Sequence, residues 1–185
     1  MTPRAAQTSA IAPETVVSVR RLHWRPAAAR DAQAGELKDV LFDDESWVVR
    51  YLVIDTVGWM PRRDVLVRPT QIESAAPLKL ALTRDELKQC PDLDEDRPVY
   101  LQYDMAGVPR PADPHLRSGE ILLGFAVRQA GRTTGRLQDI EIDARRWTVA
   151  SLVLDTGLWV PGRRRVIAPR EVRTIDWIAR TIELG

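Results

Sequence analysis

Apolar and polar residues alternate with a period of two along several short stretches of this chain. In residues 37–42 the even positions Val40 and Phe42 are apolar, whereas Asp39 and Asp43 lie on the opposite parity. Such alternation is typical of a β-strand with one buried face, and it predicts that these aspartates point outward. Residues 47–54 are apolar on both parities, which predicts a strand that is covered on both sides.

Further short strands follow from the same pattern, and prolines end several of them. Five or six short strands in each group of roughly 60 residues predict a small closed or partly open β-barrel. Thr83 and Glu86 form a capping box, so a short helix is expected after the first group of strands. The additional strands are expected at residues 16–22, 65–68 and 78–82, and again at 121–127, 166–168 and 181–184.

The two groups of strands are copies of one another. Residues 35–72 align without a gap on residues 135–172, and 14 of the 38 aligned positions are identical. Unrelated sequences would share roughly two or three. The identities include two tryptophan pairs, Trp47 with Trp147 and Trp59 with Trp159, and the strand-ending aspartates Asp55 and Asp155. This similarity indicates an internal duplication, and we interpret Trp47, Trp147, Asp55 and Asp155 as structural residues of the repeat.

The repeat predicts the domain organisation and the fold class. We expect a disordered tail over residues 1–15, a first module over 16–90, a proline-rich acidic linker over 91–117 and a second module over 118–185. The predicted fold is mainly β, with two small antiparallel β-barrels in tandem and a short helix after the first.

Composition narrows the possible functions. The 27 basic and 26 acidic residues give a net charge of +1, so binding to nucleic acid or to an anionic membrane would need a local patch. No apolar run approaches the roughly 20 residues that span a bilayer, and the first 15 residues do not resemble a secretory signal. Cys90 is the single cysteine, which favours a cytoplasmic location.

The ordered motifs resemble PRC-barrel modules. These motifs are Gly-x-Leu-x-Asp from Gly35, the run Trp-Val-Val-Arg-Tyr-Leu-Val-Ile-Asp-Thr from Trp47, Trp59-x-Pro61 and Pro69. The segment Leu-Thr-Arg-Asp-Glu-Leu from Leu82 is similar to the end of the first module in bacterial tandem PRC-barrel proteins. That family includes the cytoplasmic domain of the photosynthetic reaction-centre H subunit and the carboxyl-terminal domain of a ribosome-maturation factor. The resemblance implies a docking module without shared catalytic residues.

Candidate catalytic or metal-binding residues are sparse. A hard cation needs about six oxygen ligands, yet Asp44 is replaced by Ala144 in the second copy. His23 and His115 have no nearby histidine or cysteine in the sequence, and Cys90 has no obvious base beside it. We therefore expect no enzyme activity, no cofactor and no metal.

Two basic loop tips are the candidate interaction surface. They combine arginine with tryptophan, which suits protein and RNA surfaces alike. Three functions are compatible with them: a protein-interaction or assembly module that can self-associate, an RNA- or ribosome-associated factor, and an accessory protein like the reaction-centre H subunit. The residues of the surface are Trp59, Arg62 and Arg63 in the first copy and Trp159, Arg163, Arg164 and Arg165 in the second.

Overall fold

Both copies of the repeat fold into short strands, so the mainly β prediction is confirmed. The computed structural model describes residues 16–56, 58–61, 63–102, 112–157 and 163–185. The elements of the first half are β1 (Val16–Ser18), α1 (Val19–Leu22), β2 (Pro26–Ala28), β3 (Gln33–Asp43), β4 (Val49–Asp55), β5 (Asp64–Val67), β6 (Ile72–Ala75), β7 (Leu78–Leu80) and α2 (Arg84–Leu87). Those of the second half are β8 (Leu116–Ser118), α3 (Gly119–Leu122), β9 (Ala126–Gln129), β10 (Arg132–Asp143), β11 (Thr148–Asp155), β12 (Arg164–Ile167), β13 (Val172–Asp176) and β14 (Thr181–Leu184).

The helix expected after the first group of strands is present as α2. The Thr83 side chain accepts a hydrogen bond from the Glu86 backbone, and the Glu86 carboxylate accepts one from the Thr83 N–H at 2.7 Å. These reciprocal bonds satisfy backbone donors that a helix start leaves open. Within the described residues, no helix combines the length and the apolar character that crossing a membrane would require.

The strands form two seven-stranded sheets that do not close into barrels, so of the two predicted forms, closed or partly open, the closed barrel is wrong. The first sheet has the order β5-β4-β3-β2-β7-β6 and the second β12-β11-β10-β9-β14-β13, with one further strand on each. Among the described strands, no pairing joins the two ends of either order. Pro69 and Pro169 each begin a 3-10 turn after β5 and β12, and proline has no N–H to continue a ladder.

The prediction of purely antiparallel sheets is also wrong for one pair in each sheet. Strand β2 runs parallel to β7, and β9 runs parallel to β14. A parallel pair needs a long crossover connection, and the intervening strands β3 to β6 and β10 to β13 supply it. The other neighbouring strands in the two orders are antiparallel.

The opening strand of each copy lies in the sheet of the other copy. Strand β1 pairs with β10, with Val17 opposite Ile142, and β8 pairs with β3, with Arg117 opposite Phe42. Strand β1 is shorter than the predicted 16–22, because Ser18 caps the helical turn α1 that follows it. In the second copy, the strand predicted at 121–127 falls on the end of α3 and the start of β9, and β8 was not predicted. Each sheet therefore includes one strand that residues 91–115 separate, along the sequence, from the other strands of that sheet.

Trp47 and Trp147, which come just before the central strands β4 and β11, lie where the sheets meet. The Val49 N–H donates to the Trp147 carbonyl and the Val149 N–H donates to the Trp47 carbonyl, both at 2.8 Å. Trp47 and Trp147 have φ values of 59° and 52°, a left-handed conformation that is uncommon for large residues. Their side chains are half-buried and pack against a core that runs through both sheets.

The matched glycines and aspartates of the repeat reflect a close backbone approach. A Cβ atom at Gly135 would lie 2.5 Å from the Asp155 carbonyl oxygen, and Gly35, with a φ of 149°, meets the Asp55 carbonyl in the same way. Only glycine fits there without displacing the adjacent strand. Asp55 and Asp155 end the central strands β4 and β11, and their carbonyl groups are the ones that the two glycines pack against.

Candidate functional site

Two residues of the predicted surface in the first copy make contacts within the chain. The Trp59 Nε1–H donates to the Ala34 carbonyl at 2.7 Å, and the Arg84 guanidinium lies 4.7 Å from the centre of the indole ring. Arg63 donates to the carbonyls of Lys88 and Cys90 at 2.9 and 2.7 Å. Trp59 and Arg63 therefore attach α2 and the residues after it to the first sheet. Arg62 lies outside the described residues.

The predicted surface in the second copy is more accessible. Arg163 and Arg164 are exposed, whereas Arg165 lies 3.2 Å from the Gln129 side chain and 3.5 Å from Glu171. Trp159 lies outside the described residues, so the position of this tryptophan relative to the three arginines is not part of the description. Arg164 belongs to β12, the strand at the end of the second sheet.

A second hydrophobic cluster covers the outer face of the first sheet. It consists of buried side chains that sit apart from the main core, and the half-buried Leu93 packs against it. Leu116 of the exchanged strand β8 is one of its members and has no exposed surface. We call this group the outer cluster; its buried residues are Leu41, Tyr51, Val53, Leu66 and Leu116.

The matching face of the second sheet is open. Val166 takes the place of Leu66 and is 61% exposed, and Val16 takes the place of Leu116 and is 45% exposed. Glu141 and Ser151 replace Leu41 and Tyr51 and hydrogen-bond to each other. The same sheet surface is therefore buried in one copy and partly accessible in the other, where Val16 and Val166 are exposed and Val153 between them is buried.

This open face forms one wall of a groove of about 930 Å³. The opposite wall comes from α1 and from the β6–β7 hairpin of the first sheet. Four arginines and two carboxylates line the groove, which gives it a positive balance. The apolar side chains of this wall include Val16, Val153 and Val166. The charged residues that line the groove are Arg20, Arg21, Arg25, Arg164, Asp139 and Glu141.

Serine–aspartate contacts hold the exchanged segments beside the groove. Ser18 donates to Asp139, and the Arg20 N–H donates to the same carboxylate at 3.1 Å. In the other sheet Ser118 donates to Asp39, which is only 6% exposed. Asp39 pairs with Val53 of the outer cluster, on the face that the alternation predicts, but the expectation that it is exposed there is wrong because the exchanged segment covers the carboxylate.

The buried Asp39 is expected to make stability depend on pH. Burial raises its pKa from 3.8 to about 7, although hydrogen bonds from Ser118 and from the Glu120 and Val40 backbones act against this rise. Because the pKa in the folded state exceeds that in the unfolded state, the free energy of unfolding should fall as pH rises from 4 to 7. One such proton corresponds to at most about 1.4 kcal/mol per pH unit.

The D39N variant should flatten this dependence between pH 4 and 7. Asparagine can donate to the Ser118 hydroxyl and accept from the two backbone groups, so it mimics the protonated acid. Urea titrations at several pH values measure how the free energy of unfolding changes with pH. D139N is the control, because Asp139 is the half-buried counterpart of Asp39 in the second sheet. An identical pH slope in D39N and in the wild type would show that Asp39 does not titrate with folding.

Cys90 and His115, considered above as candidate catalytic residues, make contacts within the chain. Among the described residues, no three or more histidine, cysteine, aspartate or glutamate side chains form a group suited to a metal ion. Cys90 is buried, and this burial raises its thiol pKa, so it is a poor source of thiolate. His115 lies 2.9 Å from Asp44, whose hydrogen bond raises the histidine pKa, and the pair links the β3–β4 turn to residues just before β8.

The groove residues other than Arg164 were not among the predicted site residues. The signal that points to them is a difference between the copies: Leu41 and Tyr51 are apolar, whereas Glu141 and Ser151 are polar. In comparisons with known proteins, no family model and no curated protein matches this chain. The likeness to PRC-barrel modules therefore rests on the repeated motifs, and function is inferred from the groove.

Proposed function

We propose that this chain is a non-enzymatic docking protein that binds a protein partner in the groove of the second sheet. The observation that supports the proposal is the contrast between the two copies. Leu66 and Leu116 are fully buried in the first sheet, whereas their counterparts Val166 and Val16 are exposed. Exposed apolar residues rimmed by charged ones are typical of protein-binding surfaces.

The repeated motifs support a relationship to PRC-barrel modules, and that relationship would make docking or assembly the expected role. Two copies of a sheet also provide surfaces for self-association. The lone, buried Cys90 is compatible with action in the reducing cytoplasm, and no step of the proposed role requires insertion into a membrane.

RNA association is the second candidate, and the arginines favour it. Arg20, Arg21 and Arg25 line the groove, and Arg163 and Arg164 are exposed near it. Against it, the described residues that line the groove include no aromatic ring that would stack on bases. Filter binding of single-stranded RNA near physiological salt would measure it. Submicromolar binding that is abolished by changing Arg163, Arg164 and Arg165 together to serine would favour RNA over protein docking.

Site-specific photo-crosslinking tests the docking proposal. A benzophenone amino acid placed at Val166 should give discrete protein adducts in extracts of the source cells. The same group at Ile178, which is 74% exposed but does not line the groove, is the matched control. We expect adducts at position 166 in several-fold excess over position 178. Equal yields at the two positions, or adducts that ribonuclease removes, would contradict the proposal.

A further inference from the structure

The outer edge of β5 in the first sheet already carries an added segment of chain. The Leu66 N–H donates to the Pro91 carbonyl at 2.8 Å, and the Leu93 N–H donates to the Asp64 carbonyl at 2.9 Å. Val65 and Asp92 form an antiparallel bridge between these two bonds. Residues 91–93 therefore extend the sheet by a short strand, as peptides do when they add to an exposed sheet edge.

Side chains reinforce this added segment. Leu93 packs against the outer cluster, where it helps to cover Leu66. Arg63 lies 3.5 Å from Asp92 and 3.8 Å from Glu95, and it donates to the Cys90 carbonyl. The segment is thus held by two backbone hydrogen bonds, one leucine and acidic residues beside one arginine.

The edge of β12 presents the same features without an added segment. By the register of the repeat, the Val166 N–H and the Arg164 carbonyl correspond to the Leu66 N–H and the Asp64 carbonyl. Arg163 corresponds to Arg63 and is exposed. Within the part of the chain that the structure describes, no strand pairs with this edge.

The charge of the surroundings selects the kind of peptide that fits. The segment on β5 carries three aspartates and a glutamate between residues 92 and 96, and it meets one arginine. The edge of β12 offers Arg163 and Arg164, and the groove beside it has two more cations than anions among its lining residues. An acidic segment therefore complements this edge more strongly than it complements β5.

We propose that β12 binds an extended acidic segment of a partner protein, with a leucine seated on Val153 and Val166. The segment resembles Asp92-Leu93-Asp94 of this chain and adds an antiparallel strand through the Val166 N–H and the Arg164 carbonyl. This inference rests on the proposed docking function and specifies the chemistry of the partner.

A peptide from the chain itself is the probe. It has the sequence of residues 90–97 with serine in place of cysteine and a fluorescent label, and its anisotropy is measured with the full chain. We expect saturable binding with a Kd on the order of 100 μM, since a short flexible peptide loses entropy when it binds. A peptide that also carries Leu93→Asp should bind at least tenfold more weakly.

Variants of β12 locate the peptide. V166P removes the outward N–H but no bond to β11, so it should weaken binding at least tenfold, whereas V166A should weaken it only about threefold. R163E together with R164E leaves the backbone intact and should also weaken binding at least tenfold; thermal unfolding checks each fold. Peptide binding that neither V166P nor the double charge reversal changes would overturn the proposal.

The two proposals fail in different ways. Crosslinks from Val166 to a protein without any binding of the acidic peptide would refute the acidic-strand proposal and leave the docking function standing. Absence of crosslinks at Val166 alongside V166P-sensitive peptide binding would support the edge chemistry and refute docking in the cells tested. Absence of both would refute both.

Discussion

Replacing Leu116 with alanine is expected to lower the free energy of unfolding by about 3–4 kcal/mol, within the range for a buried leucine. Leu116 has no exposed surface, and it carries the exchanged strand β8 onto the outer cluster of the first sheet. Truncation would leave a cavity between β8 and β3 and loosen the link between the halves of the chain. Urea denaturation followed by tryptophan fluorescence measures the loss.

Val16→Ala is the matched control for this variant, because Val16 holds the same place in the second sheet. Its side chain is 45% exposed, so the expected loss is about 0.5 kcal/mol or less. Equal losses for the two variants would mean that the two outer faces are equally covered in solution. That result would also remove the contrast on which the docking proposal rests.

Trp147→Ala is expected to cost about 3 kcal/mol, at the lower end for a tryptophan because the ring is half-buried. Its φ of 52° adds a second effect that a glycine variant separates. W147G loses the same ring but relieves the left-handed backbone, so it should be roughly 1 kcal/mol more stable than W147A.

Thermal and urea unfolding of W147A and W147G measure both effects, and partner crosslinking from Val166 serves as the functional readout. We expect lower stability with crosslinking retained at temperatures where the variants are folded. An unchanged melting temperature together with lost crosslinking would instead identify Trp147 as part of a binding site.

The sequence was most informative where structure depends on nearby residues. Alternation predicted the long strands, and the capping box of Thr83 and Glu86 predicted α2. Asp43 also behaves as a turn residue, because its carboxylate accepts the Ser46 N–H at 2.7 Å, and Asp143 accepts the Arg145 N–H at 2.9 Å. Hydrogen bonds between residues two or three apart leave a local pattern, so they can be anticipated.

The exchange of opening strands was not predicted, because a repeat shows which strands exist but not which copy they join. Val17 has the same apolar character whether it lies on β3 or on β10, and the two sheets offer similar partners. The burial of Asp39 follows from this exchange, since Ser118 and the Glu120 backbone come from the other half of the chain. Alternation along β3 therefore predicted the face of this side chain but not that the other half of the chain covers it.

The open groove was only partly within reach of the sequence. Arg163 and Arg164 were singled out by their charge, but Val16 and Val166 are ordinary strand residues whose exposure depends on what covers them. In the first sheet Leu93 provides that cover, and the second sheet lacks an equivalent among the described residues. The missing neighbour is marked in the sequence only indirectly, where Leu41 and Tyr51 of the covered face are replaced by Glu141 and Ser151.

The exchange of opening strands also sets an order on how the chain can fold during synthesis. Ser18 and Asp139 are separated by 121 residues, so β1 cannot take its place in the second sheet until β10 has been made. At roughly 5–20 residues per second, Ser18 is added to the chain about 6 to 24 s before its aspartate partner. During that interval Val17, which is 4% exposed in the folded protein, has no strand to cover it. Residues 16–18 are therefore made well before the strand that covers them, and they stay exposed on the growing chain in the meantime.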